Sequence, residues 1–293
     1  MEETIIYKDY DQEALDRQYN NRARVPEFEK YVQLWDRRSA HVRQHRKVLH
    51  NIRYGPGERE LLDIIPAARS GAPVQVFFHG GYWQAMDKAF FHFIADGFVE
   101  HQITTVVVNY PLAPRASMDE IIRSCSLALT WLYRHGASYS CDPDRIFVSG
   151  HSAGGHIVAM LMATDWKALE AGLPSDLIKG GCSISGLFDL TPIRLSYLND
   201  VLGLDEATAK RNSPVYLSPT CAGPLILSVG EREPAEYHAQ SNGLSEAWSR
   251  KGLSVTSFIL PAHNHFSSLG ELADKGSALN RKILVQHCRH NCK

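Results

Sequence analysis

Six short apolar runs, separated by segments with helical patterns, constrain the fold of this chain more than any other feature. The runs are Val74–Phe78, Thr104–Asn109, Arg145–Ser149, Gly180–Ser185, Leu225–Val229 and Val255–Leu260. Runs of this kind are typical of strands buried on both faces of a parallel sheet. The helical patterns are Ala89–Glu100, Met118–His135, Gly154–Ala163, Ala235–Lys251 and Ser277–His287. The alternation predicts an α/β fold, with a mostly parallel central sheet and helices on both of its faces.

The N-terminal segment departs from this alternation. Residues 12–47 are polar with scattered apolar positions in a helical pattern, and such a segment is marginally stable alone. We therefore expect residues 1–47 to form a helical arm or lid on a single α/β domain of residues 48–293. Whether the arm caps a pocket or joins a homodimer stays open. That domain begins with a predicted hairpin, because Gly55-Pro56-Gly57 separates two short extended runs.

The third apolar run is followed by Gly150-His151-Ser152-Ala153-Gly154, which matches the pattern G-x-S-x-G. In this pattern a serine sits on a sharp turn between a strand and a helix, and the turn exposes its hydroxyl. Ligands bind beyond the carboxyl ends of such strands, which is where this serine lies. The context therefore predicts that Ser152 is a nucleophile.

The first apolar run ends at His79-Gly80-Gly81-Tyr82-Trp83. Glycines let the main chain approach a reacting oxygen closely, so that backbone N–H groups can stabilise its negative charge. We expect Gly80 and Gly81, together with Ala153 after the nucleophile, to supply these donors. His79 more plausibly braces the loop than takes part in the chemistry.

A serine nucleophile needs a general base, which should follow the last strand. Two histidines, His263 and His265, stand in Pro261-Ala262-His263-Asn264-His265-Phe266, and we prefer His265. The acid that orients the base should follow the preceding strand, where the usual glycine-x-x-acid spacing selects Glu233. Asp189, after the fourth run, is the alternative acid.

Three further side chains lie close to these motifs along the sequence. Tyr82 and Trp83 follow the glycine loop, and their rings could hold an aryl group or pack the loop against the sheet. His156 lies one turn into the helix after Ser152 and could touch substrate. We predict all three as substrate-binding residues.

Composition excludes several other classes of function. Lys and Arg number 31 and Asp and Glu 32, giving a net charge of −1, so no basic surface for nucleic acid is expected. No apolar run is long enough to cross a membrane, and the polar, acidic start does not resemble a signal peptide. The six cysteines form no C-x-x-C pair, and the His287–Cys292 tail matches no standard zinc site. We expect a cytoplasmic protein with reduced thiols, a small-molecule substrate and no metal.

The motifs together resemble those of the α/β-hydrolases, and among these the kynurenine formamidase (arylformamidase) group and its bacterial esterase relatives. The resemblance rests on His79–Trp83 and Gly150–His156, and Asn109–Pro114 is similar to a loop of the wider hormone-sensitive-lipase-like set. The segment Pro234–Tyr237 also resembles the family sequence after the catalytic acid. The similarity extends over most of the predicted α/β domain.

The resemblance implies a serine hydrolase that works through an acyl-enzyme and needs no metal or organic cofactor. It assigns Ser152 as nucleophile, His265 as base, Glu233 as acid, and Gly80, Gly81 and Ala153 as oxyanion donors. Formamidases usually carry aspartate where this chain has Glu233. The favoured substrate is an aryl formamide such as N-formylkynurenine. The alternatives are a carboxylesterase or amidase of different range and, less favoured, a non-catalytic binding protein on the same scaffold.

Overall fold

The computed structural model describes residues 4–289 and confirms the predicted α/β-hydrolase fold. Eight strands of this part of the chain form one sheet, in the order β1-β2-β4-β3-β5-β6-β7-β8. The strands are β1 (Leu49–Arg53), β2 (Leu61–Ile65), β3 (Ala72–Phe78), β4 (Thr104–Val108), β5 (Cys141–His151), β6 (Ile178–Ile184), β7 (Leu225–Gly230) and β8 (Val255–Leu260). The β1–β2 and β2–β4 pairs are antiparallel, and every other pair is parallel.

Helices flank this sheet along the chain. They are α1 (Gln12–Tyr19), α2 (Asn21–Arg24), α3 (Phe28–His45), α4 (Met118–His135), α5 (Ala153–Met162), α6 (Trp166–Leu169), α7 (Thr191–Leu195), α8 (Asn199–Leu202), α9 (Glu206–Arg211), α10 (Ala235–Arg250), α11 (Gly270–Ala273) and α12 (Ala278–Arg289). Short 3₁₀ helices cover Lys88–Gly97, Val99–His101, Gly136–Tyr139, Pro214–Tyr216 and Ser267–Leu269. Helix α4 has the predicted bounds because a capping box of Ser117 and Glu120 fixes its start.

The helix predicted over Ala89–Glu100 is instead a pair of 3₁₀ helices that meet at Phe98. The carbonyl of Gly97 accepts a hydrogen bond from the Asn280 side chain at 3.1 Å. A Cβ atom at Gly97 would lie 2.5 Å from the Leu272 carbonyl oxygen, so the segment packs tightly under the C-terminal helices. The tertiary contact therefore overrides the local helical pattern.

Two apolar clusters cover the two faces of the sheet. Successive side chains of a strand point to opposite faces, so Val76 and Phe78 enter one cluster and Phe77 enters the other. The first cluster contains buried residues of α4, α5 and α10, and the second contains residues of α3 and α12. The sheet is thus covered on both sides, as its continuous apolar strands require.

The arm packs on both sides of this body. Leu15 and Tyr19 of α1 are fully buried in the first cluster, and Trp35 and Val42 of α3 are buried in the second. Helix α2 connects these two contacts. The proposed boundary at residue 47 stays a prediction, but the described part of the arm shares both cores of the body.

The structure bears on two further sequence features, the C-terminal histidines and cysteines and the length of the apolar segments. His287 is buried with its Nε2 atom 2.9 Å from Gln75 Oε1, and Cys288 is exposed with a free thiol, whereas His290 and Cys292 lie outside the described residues. Among residues 4–289, none of the helices has both the length and the apolar character needed to cross a membrane.

Candidate active site

Ser152 occupies a strained turn between β5 and α5. Its φ of 57° and ψ of −119° lie in a region that serine rarely adopts. A Cβ atom at Gly150 would lie 2.1 Å from the Gly154 carbonyl oxygen, and one at Gly154 would lie 1.9 Å from the Phe78 oxygen. The glycines are required because any side chain there would clash with backbone. The Ser152 hydroxyl does not cap α5. The backbone N–H of Ser152 donates a hydrogen bond to the Ile184 carbonyl at 2.8 Å.

His265 and Glu233 form a buried pair at the ends of β8 and β7. The Nδ1 atom of His265 lies 2.7 Å from Glu233 Oε2, and the Glu233 side chain is fully buried. The other carboxylate oxygen accepts hydrogen bonds from Ser185 Oγ at 2.5 Å and from the Gly230 N–H at 2.7 Å. These bonds anchor the longer glutamate in reach of the imidazole. They also offset the cost of burying its charge.

The alternative acid and base lie in other surroundings. Asp189 Oδ1 accepts a hydrogen bond from the Thr191 N–H at 2.9 Å, and its Oδ2 accepts one from the Tyr216 hydroxyl at 3.1 Å. His263 lies 3.4 Å from Glu271 and does not line the cavity described below. The geometry therefore favours Glu233 over Asp189 and His265 over His263.

The predicted oxyanion donors are the backbone N–H groups of Gly80, Gly81 and Ala153. A Cβ atom at Gly80 would lie 3.1 Å from the Ser152 Cβ, which shows how closely the glycine loop approaches the nucleophile. Gly81 has a φ of +107°, which favours glycine. Neither glycine donates its N–H to another backbone group within residues 4–289, and Ala153 is the first residue of α5, where the N–H has no helical partner. The three groups can donate to an oxyanion.

His79 braces the glycine loop. Its ring is stacked on Tyr110, with 4.4 Å between centroids, and the Tyr110 hydroxyl donates to the His79 carbonyl at 2.6 Å. Its Nδ1 lies 2.8 Å from the Gly80 oxygen. Burial lowers the pKa of His79 to about 4, so the ring is neutral near pH 7.

A cavity of about 430 Å³ opens beside Ser152 and His265, within the size range of small-molecule sites. Body residues that line it are Gly80, Gly81, Tyr82, Gln84, Ala85, Met86, Phe91, His151, Tyr197, Leu198 and Phe266. The arm contributes the remainder of the wall, namely Asn20, Asn21, Arg22, Phe28, Val32 and Trp35. Aromatic rings thus come from both parts of the chain and can pack against an aryl group.

Of the three predicted substrate-binding side chains, only Tyr82 lines this cavity. Trp83 and His156 are fully buried beneath it, and Trp83 Nε1 donates to His156 Nδ1 at 3.2 Å. His156 Nε2 in turn donates to the Asn212 carbonyl at 2.7 Å, and burial lowers its pKa to about 4. The cavity therefore does not include Trp83 or His156 in its lining, since the Trp83 ring packs in the first apolar cluster and His156 packs against it.

His151 is a further residue of the candidate site that the sequence did not indicate. Its Nε2 donates to the carbonyl of His265 at 2.7 Å, and the two rings lie 4.6 Å apart. Burial lowers the pKa of His151 well below its ordinary value, so the ring remains a neutral donor. The residue before the nucleophile thus fixes the loop that carries the base. Its place in the x position of G-x-S-x-G gives no signal of this role.

A network of hydroxyl groups connects the arm to the catalytic loops. The Tyr82 hydroxyl donates to the Tyr19 carbonyl at 2.5 Å and lies 2.6 Å from the Tyr237 hydroxyl. Asn21 Nδ2 donates to the Tyr237 hydroxyl at 2.7 Å, and the Tyr237 ring lies 4.8 Å from that of His265. One network therefore touches the arm, the glycine loop and the base. The contacts join residues far apart in sequence, which no local pattern reveals.

One trio in the described part of the chain, His50, Asp63 and His92, has side chains close enough to share a metal ion. The ammonium of Lys88 lies 2.9 Å from Asp63 Oδ1, and His92 Nε2 lies 2.7 Å from Oδ2. These partners lower the pKa of the Asp63 carboxyl against the opposing effect of its burial. A buried lysine would repel a cation, so the trio fits a structural ion pair rather than a metal site.

Comparison with known proteins identifies the family. Residues 75–265 match a family model described as alpha/beta hydrolase fold. A kynurenine formamidase of Salmo salar is 32% identical, with 81% of each chain covered, and Esterase LipQ of Mycobacterium tuberculosis is 30% identical over 73% of this chain and 56% of its own length.

A solved structure from Silicibacter sp. TM1040, provisionally described as a thioesterase, has a TM-score of 0.82 and 28% identity. The match covers 92% of this chain and 98% of the other. The structural similarity thus extends over most of both chains. The chain is a hydrolase and belongs to the α/β-hydrolase-fold family.

Proposed function

We propose that this chain is a serine hydrolase that cleaves aryl formamides such as N-formylkynurenine through an acyl-enzyme. One observation carries the proposal: Ser152 and His265 line a single aromatic cavity, and Glu233 holds His265 from behind at 2.7 Å. The kynurenine formamidase relative supports the choice of substrate. Rings on both walls of the cavity suit a planar aryl group.

In the first half of the reaction, Ser152 Oγ attacks the formyl carbon. The Nδ1–H of His265 is directed at Glu233, which leaves Nε2 to accept the Ser152 proton. Backbone N–H groups of Gly80, Gly81 and Ala153 stabilise the negative oxygen that forms. The carbon–nitrogen bond then breaks, His265 returns the proton to the leaving aryl amine, and a formyl-serine remains.

In the second half, water replaces the amine. His265 accepts one proton as the water oxygen attacks the formyl-serine, and the same donors hold the new oxyanion. The ester bond breaks, His265 protonates Ser152 Oγ, and formate leaves. The products are the free aryl amine and formate, and the enzyme returns to its starting state.

Parallel rate measurements on N-formylkynurenine and on short-chain aryl esters test the proposal. Efficient release of kynurenine and formate by the wild type, lost in Ser152→Ala, is the expected result. Hydrolysis of the esters without cleavage of the formamide would overturn the substrate assignment and retain the serine mechanism. A serine-reactive phosphonate that failed to label Ser152 would overturn the mechanism as well.

A carboxylesterase for small acyl esters is the second candidate. It is favoured by the similarity to Esterase LipQ and by the glutamate at position 233 in place of the usual aspartate. The ratio of kcat/KM for matched formyl esters and formamides of one aryl group separates the two candidates. A ratio strongly in favour of the ester would support the esterase.

We further propose a cytoplasmic location and a small-molecule partner. Four of the cysteines, Cys125, Cys141, Cys182 and Cys221, are buried free thiols, which suits a reducing compartment. Fractionation of cells that express a tagged chain tests the location. The homodimer remains a prediction, and light scattering from the full chain tests it.

A further inference from the structure

One permanent charge lines the catalytic cavity. Among its lining residues Arg22 is the sole arginine or lysine, and none of them is an aspartate or glutamate. The two histidines of the lining, His151 and His265, already hold the hydrogen bonds of the catalytic arrangement. The cavity therefore combines apolar walls with a single guanidinium.

The guanidinium is held beside the aromatic wall. Its central carbon lies 5.0 Å from the centroid of the Phe28 ring, a favourable cation–π contact. Phe28 packs on Phe266 with 5.9 Å between centroids, and Phe266 contacts the His265 ring at 5.5 Å. Phe28 and Phe266 thus lie in contact between Arg22 and His265, and Arg22 itself is exposed.

The charge of Arg22 has no partner within residues 4–289. None of the ion pairs there includes Arg22, and its side chain takes part in no hydrogen bond with a described residue. The carboxylate of Asp16 on α1 has other partners, since its Oδ1 accepts from the Tyr197 N–H at 2.8 Å and from the Gln12 side chain at 3.1 Å. An arginine without a charged partner is ordinary on a protein surface. Arg22 differs because it borders the proposed substrate cavity.

We propose that Arg22 forms an anion subsite, which selects acyl substrates whose aryl leaving group bears a carboxylate on a short side chain. The inference rests on the proposed function and sharpens it, because it names a chemical requirement on the leaving group. Arginine presents a planar set of donors that matches the two oxygens of a carboxylate. With its plane held by Phe28, the guanidinium loses less side-chain freedom on binding.

The arm therefore contributes to specificity. The catalytic groups belong to residues 80–265 of the body, whereas the anion subsite belongs to α2 of the arm. A neutral aryl substrate would use the aromatic walls alone. A carboxylate-bearing substrate would also engage Arg22 and bind in a defined orientation.

The test compares Arg22→Met with Arg24→Met. Arg24 lies on the same short helix, is exposed and does not line the cavity, so it is the matched control. With N-formylkynurenine we expect Arg22→Met to lower kcat/KM by about 10- to 100-fold, mainly through KM. Arg24→Met should remain within about twofold. With neutral 4-nitrophenyl acetate Arg24→Met should match the wild type, and Arg22→Met should lose far less of its kcat/KM than it loses with N-formylkynurenine.

Direct binding keeps this test separate from the proposed function. Calorimetry on the wild type compares 4-phenylbutanoate with the neutral 4-phenylbutan-1-ol, neither of which is a substrate. We expect the carboxylate to bind at least about 10-fold more tightly. This preference should vanish in Arg22→Met and persist in Arg24→Met. Equal binding of the two compounds, or an unchanged preference in Arg22→Met, would overturn the anion subsite.

The two hypotheses can fail independently. If N-formylkynurenine is not cleaved but the carboxylate preference depends on Arg22, the substrate is another aryl carboxylate and the subsite stands. If N-formylkynurenine is cleaved equally well by Arg22→Met, the formamidase assignment stands and the subsite is wrong.

Discussion

The two walls of the catalytic cavity differ in origin. The body wall is formed by residues at or after the ends of strands β3, β5, β6 and β8, and it carries the proposed nucleophile, base and oxyanion glycines. The arm wall is formed by residues from α2, α3 and their flanks, and its lining residues are aromatic, aliphatic, amide or cationic. The body wall holds the groups proposed for acyl transfer, and the arm wall holds the cationic group proposed to select the substrate. The proposed chemistry and the proposed charge selection thus come from separate parts of the chain.

The largest expected effect is loss of the nucleophile on the body wall. Ser152→Ala should reduce kcat by about 10,000-fold or more, because the acyl-enzyme can no longer form. Steady-state rates and a thermal melt measure the effect. Retention of substantial activity in a correctly folded Ser152→Ala protein would contradict the division between the walls.

Loss of the acid should rank next. Glu233→Gln removes the charge that orients and stabilises His265, and we expect kcat to fall by about 1,000-fold or more. Asp189→Asn is the matched control, since this carboxylate accepts a hydrogen bond from the Thr191 N–H and does not contact His265, and it should stay within about twofold of wild type. The two pH–rate profiles provide the measurement. A larger fall in kcat for Asp189→Asn than for Glu233→Gln would indicate that Asp189 is the acid.

Acidification tests the two buried histidines that pack next to the body wall, His79 and His156, through the free energy of unfolding. Burial lowers the pKa values of His79 and His156 from 6.5 to about 4. As the pH falls through this window, the unfolded chain binds protons before the folded chain does, so the free energy of unfolding decreases. We expect a loss of about 3 kcal/mol per histidine between pH 7 and pH 4, measured by urea denaturation.

His156→Gln sharpens this test. Glutamine offers both a donor for the Asn212 carbonyl and an acceptor for Trp83, and it does not titrate. The variant should therefore lose less stability on acidification than the wild type. An identical pH dependence would show that His156 is not one of the titrating groups.

The smallest effect should come from the network that joins the walls. Tyr237→Phe removes the hydroxyl shared by Asn21 and Tyr82 and should destabilise the fold by about 1–2 kcal/mol. We expect KM to rise severalfold because the arm wall is held less firmly. Tyr216→Phe, at an exposed tyrosine, is the control and should change stability by less than about 0.5 kcal/mol. Equal effects of the two variants, measured by denaturation and steady-state kinetics, would contradict the role of the network.

The sequence predicted the body wall better than the arm wall for a physical reason. A strand, a sharp turn and a helix lie within a few consecutive residues, so Gly150–Gly154 reveals the nucleophile locally. The spacing from Gly230 also selected Glu233, which the structure places against His265. Both features depend on short-range backbone geometry, which a single stretch of sequence can record.

Side-chain direction and long-range contacts could not be predicted in the same way. Tyr82 and Trp83 both have a left-handed backbone, with φ of 48° and 58°, but Tyr82 lines the cavity and Trp83 lies in the core beside His156. The contact of Asn21 with Tyr237 spans 216 positions and has no local pattern. Arg22 likewise becomes significant only once α2 lies over the cavity. Tertiary packing decides each of these placements.

The bond between Asn21 and Tyr237 also sets an order of events during synthesis. The arm leaves the ribosome first, and its partner on α10 is added 216 residues later. At common rates of translation this interval lasts roughly 10 to 40 seconds. Tyr82, the other hydroxyl partner of the Asn21 side chain, is added 61 residues after it, so part of the network can form earlier. His265 is added after Tyr237, so the network that holds the arm can be complete before the group of Ser152, Glu233 and His265 exists.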